Sequence, residues 1–451
     1  MKKKIVLSLI IISVIGIGCF IITNHISKRV KYVFLFIGDG MNINHVELTE
    51  AYNNMMKQND FENQEKLSFS KFQNIGLRKN HDKYDYVPDS ASSATALSSG
   101  LLTKNGMLNI DDEGNKKTPI SYLLKEKRKM KIGIITTVPI HHATPAAFYS
   151  YNVNRTNSYD IAKDLVNSNF DYFGDGGFDL NPQELSDIEK QLQSNHYKIM
   201  KNKEEIEDLK KTDDKMIAIN PNTIAGTSKY AMETNNNDLN LNDFVRIGIN
   251  VLDNKNGFFM MAESGMIDFA SHNNDARAVI SEVNVLDEAV KEALKFYKKH
   301  PKETLIIVTG DHETGGLALG NNSGFGLDLT ALQHQKVVFS SLTNYINTTY
   351  DNPNFDEVFN YLMTNFGIET SIPLTEENKI KLKSDYELKD TNQFVSLIKD
   401  ILYKETMIGW TSNNHTASPI VVYAKGVNSE KFTGKYTSIE FNQKLRKVLG
   451  V

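Results

Sequence analysis

Cysteine is almost missing from this chain. Only Cys19 occurs in 451 residues, so no disulfide can form within the molecule, even in an oxidising compartment. An excess of one charge is missing too. Lys and Arg total 51 against 55 Asp and Glu, and a net charge of −4 is too close to neutral to argue for nucleic acid or an anionic membrane surface as partner. No internal repeat or low-complexity tract occurs, which sets aside repeat architectures. What remains is a chain that is 40% hydrophobic, ample for a large core, with abundant Asn and Lys that read as surface composition.

Residues 1–30 stand apart. Lys2, Lys3 and Lys4 precede an apolar run from Ile5 to Ile22, and polarity returns at Thr23. A basic start followed by an apolar segment marks an exported or tethered chain. The run is long for a cleaved segment and just long enough to span a bilayer. Cys19 follows Gly16-Ile17-Gly18, so a lipid anchor is a third alternative, although Gly16 stands where a lipidation signal has a larger apolar residue. Signal peptide, lipid anchor and membrane anchor all stay open.

Strand-like runs recur beyond the leader. VFLFI (Val33–Ile37) is apolar throughout, as a strand buried on both faces must be, and it ends at Gly38-Asp39-Gly40. Asp39 thus lies at a strand's carboxyl end, where open α/β sheets place ligands. A helix is expected from Asn44 towards Gln58, and Leu67 to Leu77 shows no clear pattern. Asp89-Ser90 then opens a small-residue run that reads as helix to Ser99. Ser90 would sit in the first turn, among free N–H groups that attract anions, though taken alone Asp-Ser is an ordinary N-cap. A short helix is expected over Ile120–Lys129, begun by Pro119. KIGIITT (Lys131–Thr137) is the next buried strand, and it delivers His141, His142 and Thr144 into a loop. Adjacent histidines point different ways, so at most one faces a site, and His141 reads as a surface residue.

A helix follows around Tyr159–Asn167, and Asp171 to Gly177 reads as a strand end with a glycine turn. Residues 183–245 read as polar helix and loop. FFMMA (Phe258–Ala262) is a strand leading to Glu263, then to Asp268 and His272, which share one face if helical. A sheet-covering helix is expected from about Ser281 to Lys299. TLIIVTG (Thr304–Gly310) ends in Asp311-His312-Glu313. Residues 320–410 change to polar helices and loops and read as an insertion over the sheet. His415 precedes the expected final strand, PIVVYA (Pro419–Ala424), and a closing helix near Ser438–Leu449. The alternation implies an α/β fold with a large, mostly parallel central sheet between helices.

Acids and imidazoles at several strand ends converge on one edge of such a sheet, and like charges buried together need cations. Mixed His/Asp ligation suits zinc, and oxygen ligation with Thr and Glu suits magnesium. Paired zinc ions assist in-line displacement and activate a serine hydroxyl. The motifs IGDGM (Ile37–Met41), PDSASSATA (Pro88–Ala96), HATPAA (His142–Ala147), NVNR (Asn152–Arg155), ESGMIDFASHNNDA (Glu263–Ala276), TGDHETGG (Thr309–Gly316) and NHT (Asn414–Thr416) occur in this order. On these motifs the chain resembles the alkaline phosphatase family from Val33 to near its end.

The resemblance implies a three-layer α/β/α sandwich over 31–451, with a crown-like subdomain inserted at about 320–410. It also implies a hydrolase of small-molecule phosphate monoesters outside the cytoplasm, whether periplasmic, extracellular or membrane-anchored. Ser90 would be the nucleophile of a covalent phosphoserine. Asp268, His272 and His415 would hold one Zn2+, and Asp39, Asp311 and His312 a second that also contacts Ser90. Asp39 would bridge to Mg2+, completed by Thr144 and Glu263. Arg155 would clamp two phosphate oxygens with its planar fork, and Asp89 would orient that arginine or the serine turn. Three positions depart from parts of the family. His142 replaces an aspartate ligand and implies action on magnesium through water, with direct ligation open. Phe269 replaces Lys, His or Trp and removes a water-mediated phosphate contact, and Pro88 replaces a threonine. Homodimers are common in the family, but no patch in the sequence establishes one. Two rivals stand beside this reading: a phosphodiesterase or sulfatase on the same metal scaffold, and a binding protein on a dead one. Arg155 argues against the first, and the filled ligand positions against the second.

Overall fold

Strand β1 (Tyr32–Gly38) is buried along its whole length, and its side chains feed two cores. Phe34 and Phe36 join one apolar cluster, while Val33, Leu35 and Ile37 join the other. A strand buried on both faces has no polar side to show, which is why the sequence run is uninterrupted. Truncating Phe36 to Ala would remove roughly 3–5 kcal/mol of stability. The computed structural model describes residues 30–212, 214–235, 237–351 and 354–451. Residues 1–29 lie outside the described residues, and with them Cys19 and nearly all of the leader. No helix among the described residues is long and apolar enough to cross a membrane.

The further strands are β2 (Asn74–Lys79), β3 (Lys131–Thr136), β4 (Tyr172–Asp175), β5 (Tyr197–Met200), β6 (Lys215–Ile219), β7 (Phe258–Ser264), β8 (Thr304–Gly310), β9 (Glu313–Thr314), β10 (Ala318–Leu319), β11 (Ile408–Gly409), β12 (His415–Thr416), β13 (Ile420–Gly426) and β14 (Gly434–Thr437). Nine of them join β1 in one ten-stranded sheet, in the order β14-β2-β13-β8-β1-β7-β3-β4-β6-β5. All its pairings are parallel except those of β13, which runs antiparallel to both β8 and β2. Helices Ile43–Met56, Leu241–Leu252 and Ala276–Lys299 cover one face. Helices Ser90–Ser98, Ile120–Arg128, Ser158–Ser168 and Ser438–Leu449 cover the other. The α/β sandwich with a large, mostly parallel sheet is therefore observed.

Register decides where the chemistry sits. Gly38 lies opposite both Ser264 and Gly310, so β1, β7 and β8 end level. Glu263 is flanked by Ile37 and Thr136. Asp39, Glu263 and Asp311 thereby reach one rim with no further adjustment.

Several boundaries differ from the sequence reading. The unpatterned stretch after Leu67 yields β2, whose exposed Ile75 and Leu77 alternate with buried Gly76 and Arg78, the reverse of an ordinary amphipathic strand. The polar stretch 183–245 contributes β5 and β6, both too short for a periodic signal to rise above their flanks. PIVVYA is not the last strand, because β14 follows it. The long helix starts at Ala276, capped by the Asp275 side chain accepting from Ala278 N–H at 3.0 Å. Residues 320–410 hold four helices, Phe339–Thr349, Phe355–Phe366, Glu376–Glu387 and Thr391–Thr406. Their apolar faces run on from one of the sheet's clusters.

At the end of β4, Asp175 is wholly buried in a left-handed backbone conformation (φ 74°), which Asp and Asn tolerate. Its Oδ1 accepts from Asn220 Nδ2 (3.0 Å) and Ser228 Oγ (2.7 Å), whereas Oδ2 has no partner. Burial pushes this carboxyl up to about 7, and burial with Asp175 nearby pushes Glu282 to about 8. Acids raised in the fold keep protons that the unfolded chain has released, so stability falls as pH rises from about 4 towards these values. Melting curves are therefore expected to show a wild-type Tm that drops between pH 5 and pH 8. Asp175→Asn, which keeps the acceptor and removes the charge, should flatten that slope.

Candidate active site

The serine stretch is both a cap and a site. Asp89 is the N-cap of helix Ser90–Ser98, and its Oδ1 accepts from Ser92 N–H at 2.9 Å. Ser90 follows as the first helical residue and is 1% exposed. Its Oγ lies 3.1 Å from His312 Nε2. Asp89 Oδ2 accepts from Gly106 N–H (3.0 Å) and from Arg155 Nη1 (3.0 Å). Burial favours the neutral acid here, but Arg155 and the two backbone N–H groups outweigh it and hold Asp89 below the usual carboxylate range. Arg155 Nη2 donates to His142 Nε2 at 3.0 Å. Each Nη keeps a second N–H, so the fork can still reach two oxygens of an anion.

Three sets of side chains converge tightly enough to hold cations: Asp268, His272 and His415; Asp39, Asp311 and His312; and Asp39, His142 and Glu263. Their hydrogen bonds show which atoms are free to ligate. His272 Nδ1 donates to Asn413 O (2.5 Å) and His415 Nδ1 to Pro88 O (2.8 Å), since a carbonyl can only accept. In the neutral rings both Nε2 atoms are then lone pairs, and they face each other 3.2 Å apart. Asp268 Oδ2 lies 3.3 Å from the first and Oδ1 3.7 Å from the second. Lone pairs aimed at a common point repel unless a cation sits between them.

The second set behaves alike. Asp39 Oδ1 lies 3.1 Å from His312 Nε2, and Asp311 Oδ2 lies 3.4 Å from it, yet Asp39 Oδ1 receives no hydrogen bond. In the third, Glu263 Oε1 is buried without a partner while Oε2 accepts from Thr136 Oγ1. Thr144 Oγ1 donates to Asp39 Oδ2 at 3.3 Å. Burial, then Asp311 and Asp268, push Asp39 well above the usual carboxylate range. Burial and Asp39 do the same to Glu263. Orphaned oxygens, facing imidazole lone pairs and crowded acids all fit divalent cations.

All twelve residues singled out from the sequence thus come to one rim. His141 does not read as expected. It is buried, accepts from Asp179 N–H at 3.0 Å and stacks on Phe178, and burial pushes it down to about 4. Only its neighbour faces the site, as adjacent positions require. His142 is held neutral by burial and then Arg155, at about 3, and its Nδ1 has no partner. Phe269 packs edge-on against it, with ring centroids 6.0 Å apart.

Four supporting residues were given no role from the sequence, although Gly40 and Thr314 lie inside two of its motifs. Gly40 takes φ 72°, and a Cβ there would come within 2.8 Å of Asp268 Oδ1 and Thr314 Oγ1. His45 Nδ1 accepts from Asn42 N–H, so the ring's proton sits on Nε2, 3.1 Å from Ser271 Oγ in the Asp268 helix. Buried Arg78 donates Nη2 to the carbonyls of Gly310 (2.6 Å) and Asp311 (3.0 Å), which aims the turn into His312. Thr314 links two clusters. His312 Nδ1–H donates to Thr314 Oγ1 (3.2 Å), and the hydroxyl donates to Asp268 Oδ1 (2.5 Å). This chain leaves His312 Nε2 as the lone pair. Beside it, β9 pairs with β12, His415 opposite Thr314, and the rings of His312 and His415 stack at 3.6 Å. Thr314→Val should therefore lose bound metal to a chelator about tenfold faster than wild type. Thr314→Ser should behave as wild type, with metal content followed by atomic absorption.

A family model described as alkaline phosphatase matches residues 30–451. Alkaline phosphatase 4 of Bacillus subtilis is 29% identical over 415 residues, covering 90% of this chain and 86% of that protein. Alkaline phosphatase 3 of the same organism is 28% identical over 430 residues, covering 93% and 89%. The crystal structure of a cold-active alkaline phosphatase from the psychrophile Shewanella sp. shares the fold, with a TM-score of 0.81 at 23% identity over 93% of this chain and 99% of that one. The alkaline phosphatase of the Antarctic bacterium TAB5 has a TM-score of 0.66 at 26% identity, over 94% and 99%. A family match from Val30 to the last residue, on a sheet whose rim gathers acids and imidazoles in this way, makes the chain a member of the alkaline phosphatase family.

Proposed function

We propose that this chain hydrolyses phosphate monoesters through a covalent phosphoserine at Ser90, as one catalytic domain over 31–451 with 320–410 as its insertion. The observation that carries the reading is Ser90 Oγ, buried at a helix start, 3.1 Å from His312 Nε2. In the first step an Oγ–P bond forms as Ser90 gives up its proton, and the ester P–O bond breaks, the organic group leaving as an alcohol once its oxygen takes up a proton. In the second, water cleaves the Oγ–P bond and phosphate leaves. Arg155, anchored by Asp89 and His142, presents two N–H groups to the non-bridging oxygens of a monoester dianion. A diester or sulfate ester offers less charge to such a fork, which favours the monoester over the rival substrates.

The cations we assign are two Zn2+ and one Mg2+. Asp268, His272 and His415 would hold the first zinc, Asp39, Asp311 and His312 the second, and Asp39, Thr144 and Glu263 the magnesium, on which His142 acts through water. When bound, the zinc ions supply Lewis-acid stabilisation to the attacking and leaving oxygens and lower the pKa of the Ser90 hydroxyl. Magnesium is supported by a solved TAB5 variant, with a histidine changed to glutamate, that has Mg bound in its M3 site. The leader read in residues 1–30 supports action outside the cytoplasm.

Ser90→Ala is expected to lower kcat on p-nitrophenyl phosphate by about 10³-fold or more. Acid quenching should trap phosphate on the Ser90 peptide in the wild type and not in the variant, as read by mass spectrometry. Chelation should abolish turnover, and zinc with magnesium should restore it. A Ser90→Ala protein with full activity contradicts the nucleophile assignment.

A further inference from the structure

Residues 82–89 lead the chain to the nucleophile and belong to no helix or strand. Their fixed points come from the loop that follows the serine helix. Lys83 N–H donates to Thr103 O (3.0 Å), and Asp82 Oδ2 accepts from Asn105 N–H (3.1 Å). The Asn105 side chain then spans Pro88. Its Oδ1 accepts from Asp89 N–H (2.7 Å) and from Ser92 Oγ (2.7 Å), and its Nδ2 donates to Val87 O (3.1 Å). These partners allow the amide one orientation only, since an N–H needs its oxygen and a carbonyl needs its nitrogen. Next to it, Gly106 works through its main chain. Its N–H donates to Asp89 Oδ2 (3.0 Å), and its carbonyl accepts from Arg155 N–H (2.8 Å).

Two parts of the site depend on the segment that Asn105 spans. Asp89 immediately precedes Ser90, so pinning its N–H sets where the helix begins and where the Ser90 Oγ stands. The Pro88 carbonyl lies between the two groups that Asn105 holds, and it takes the Nδ1 proton of His415 at 2.8 Å. Starting the helix does not require Asn105. The Asp89 carboxylate already caps it by accepting from Ser92 N–H at 2.9 Å. A second amide on the same turn, from a loop beyond the helix, bears instead on where the turn points. Asn105 is also exposed, so truncating it leaves no cavity in the core. Arg155 depends on it less, because the bonds of Gly106 to Asp89 and Arg155 use main-chain groups that any side chain at 105 leaves in place.

We infer that Asn105 is a positioning residue for phosphoryl transfer: by holding Val87 O and Asp89 N–H on either side of Pro88, it aims Ser90 and the His415 ring together. The inference rests on the phosphatase reading above and adds to it a residue that is neither nucleophile nor metal ligand.

Asn105→Ala in the full chain, loaded with zinc and magnesium, tests it. With enzyme in excess over p-nitrophenyl phosphate, release of p-nitrophenol reports the attack of Ser90 alone, and it is expected to slow about tenfold. The Ki of inorganic phosphate should stay within about twofold, since Arg155 keeps its contacts with Gly106 and His142. Zinc loss to a chelator, followed by atomic absorption, should be about fivefold faster for one zinc ion and unchanged for the other. Asn105→Leu, similar in size but without polar ends, should match the alanine variant. Wild-type p-nitrophenol release and wild-type zinc loss in both variants overturn the inference. A uniform loosening, with a lowered Tm, weaker phosphate binding and both zinc ions lost faster, also overturns it, by making Asn105 a contact of general stability. If the wild type releases no p-nitrophenol, the phosphatase reading fails instead, and selective zinc loss then decides whether Asn105 positions His415.

Discussion

Carboxylates that water cannot reach must be neutralised, and this chain packs four of them at one sheet edge. Asp39, Glu263, Asp268 and Asp311 are all buried there. Arg155 is already shared between Asp89 and His142, and buried Arg78 is engaged by the carbonyls of Gly310 and Asp311. Divalent ions are what such a site is built to receive, and the parallel sheet is what brings the acids together. Level strand ends at Gly38, Ser264 and Gly310 accomplish that in one stroke.

Keeping each imidazole nitrogen available is the second requirement. A neutral histidine has one proton to place, and in His272, His415 and His312 the fold gives it a partner on Nδ1 and leaves Nε2 to the rim. Backbone carbonyls of Asn413 and Pro88 take the Nδ1 protons of His272 and His415. Thr314 takes that of His312. The proline before Asp89-Ser90 thereby gains a function, its carbonyl accepting from His415 and fixing that ring close to the serine turn. Outer partners of this kind are part of a metal site as much as its ligands are.

The sheet was legible in the sequence where strands are buried on both faces, because VFLFI, KIGIITT, FFMMA and TLIIVTG admit no polar residue. It was illegible at the edges. β2 hides Arg78 and exposes Ile75 and Leu77, since a buried guanidinium serves the carbonyls of Gly310 and Asp311. The residues brought to the rim were legible because they lie in short, dense motifs, most of them at a strand end or a helix start. Thr314, His45 and Arg78 were not, for their importance is a matter of partners distant in sequence. His141 misled for a simpler reason: polarity suggested solvent, whereas a single N–H from Asp179 satisfies the ring inside.

The uneven depth of the rim has a kinetic meaning. Of the two histidine-bearing clusters, one is buried beside Ser90, while the other has His272 at the surface, held by Asn413, which accepts from its Nδ1 and donates to its backbone carbonyl. An ion held in the buried cluster would leave only if the core opened, whereas one beside His272 would face the medium. Ageing in a metal-poor environment would then begin at the outer position, where Asn413 alone holds the exposed imidazole from behind.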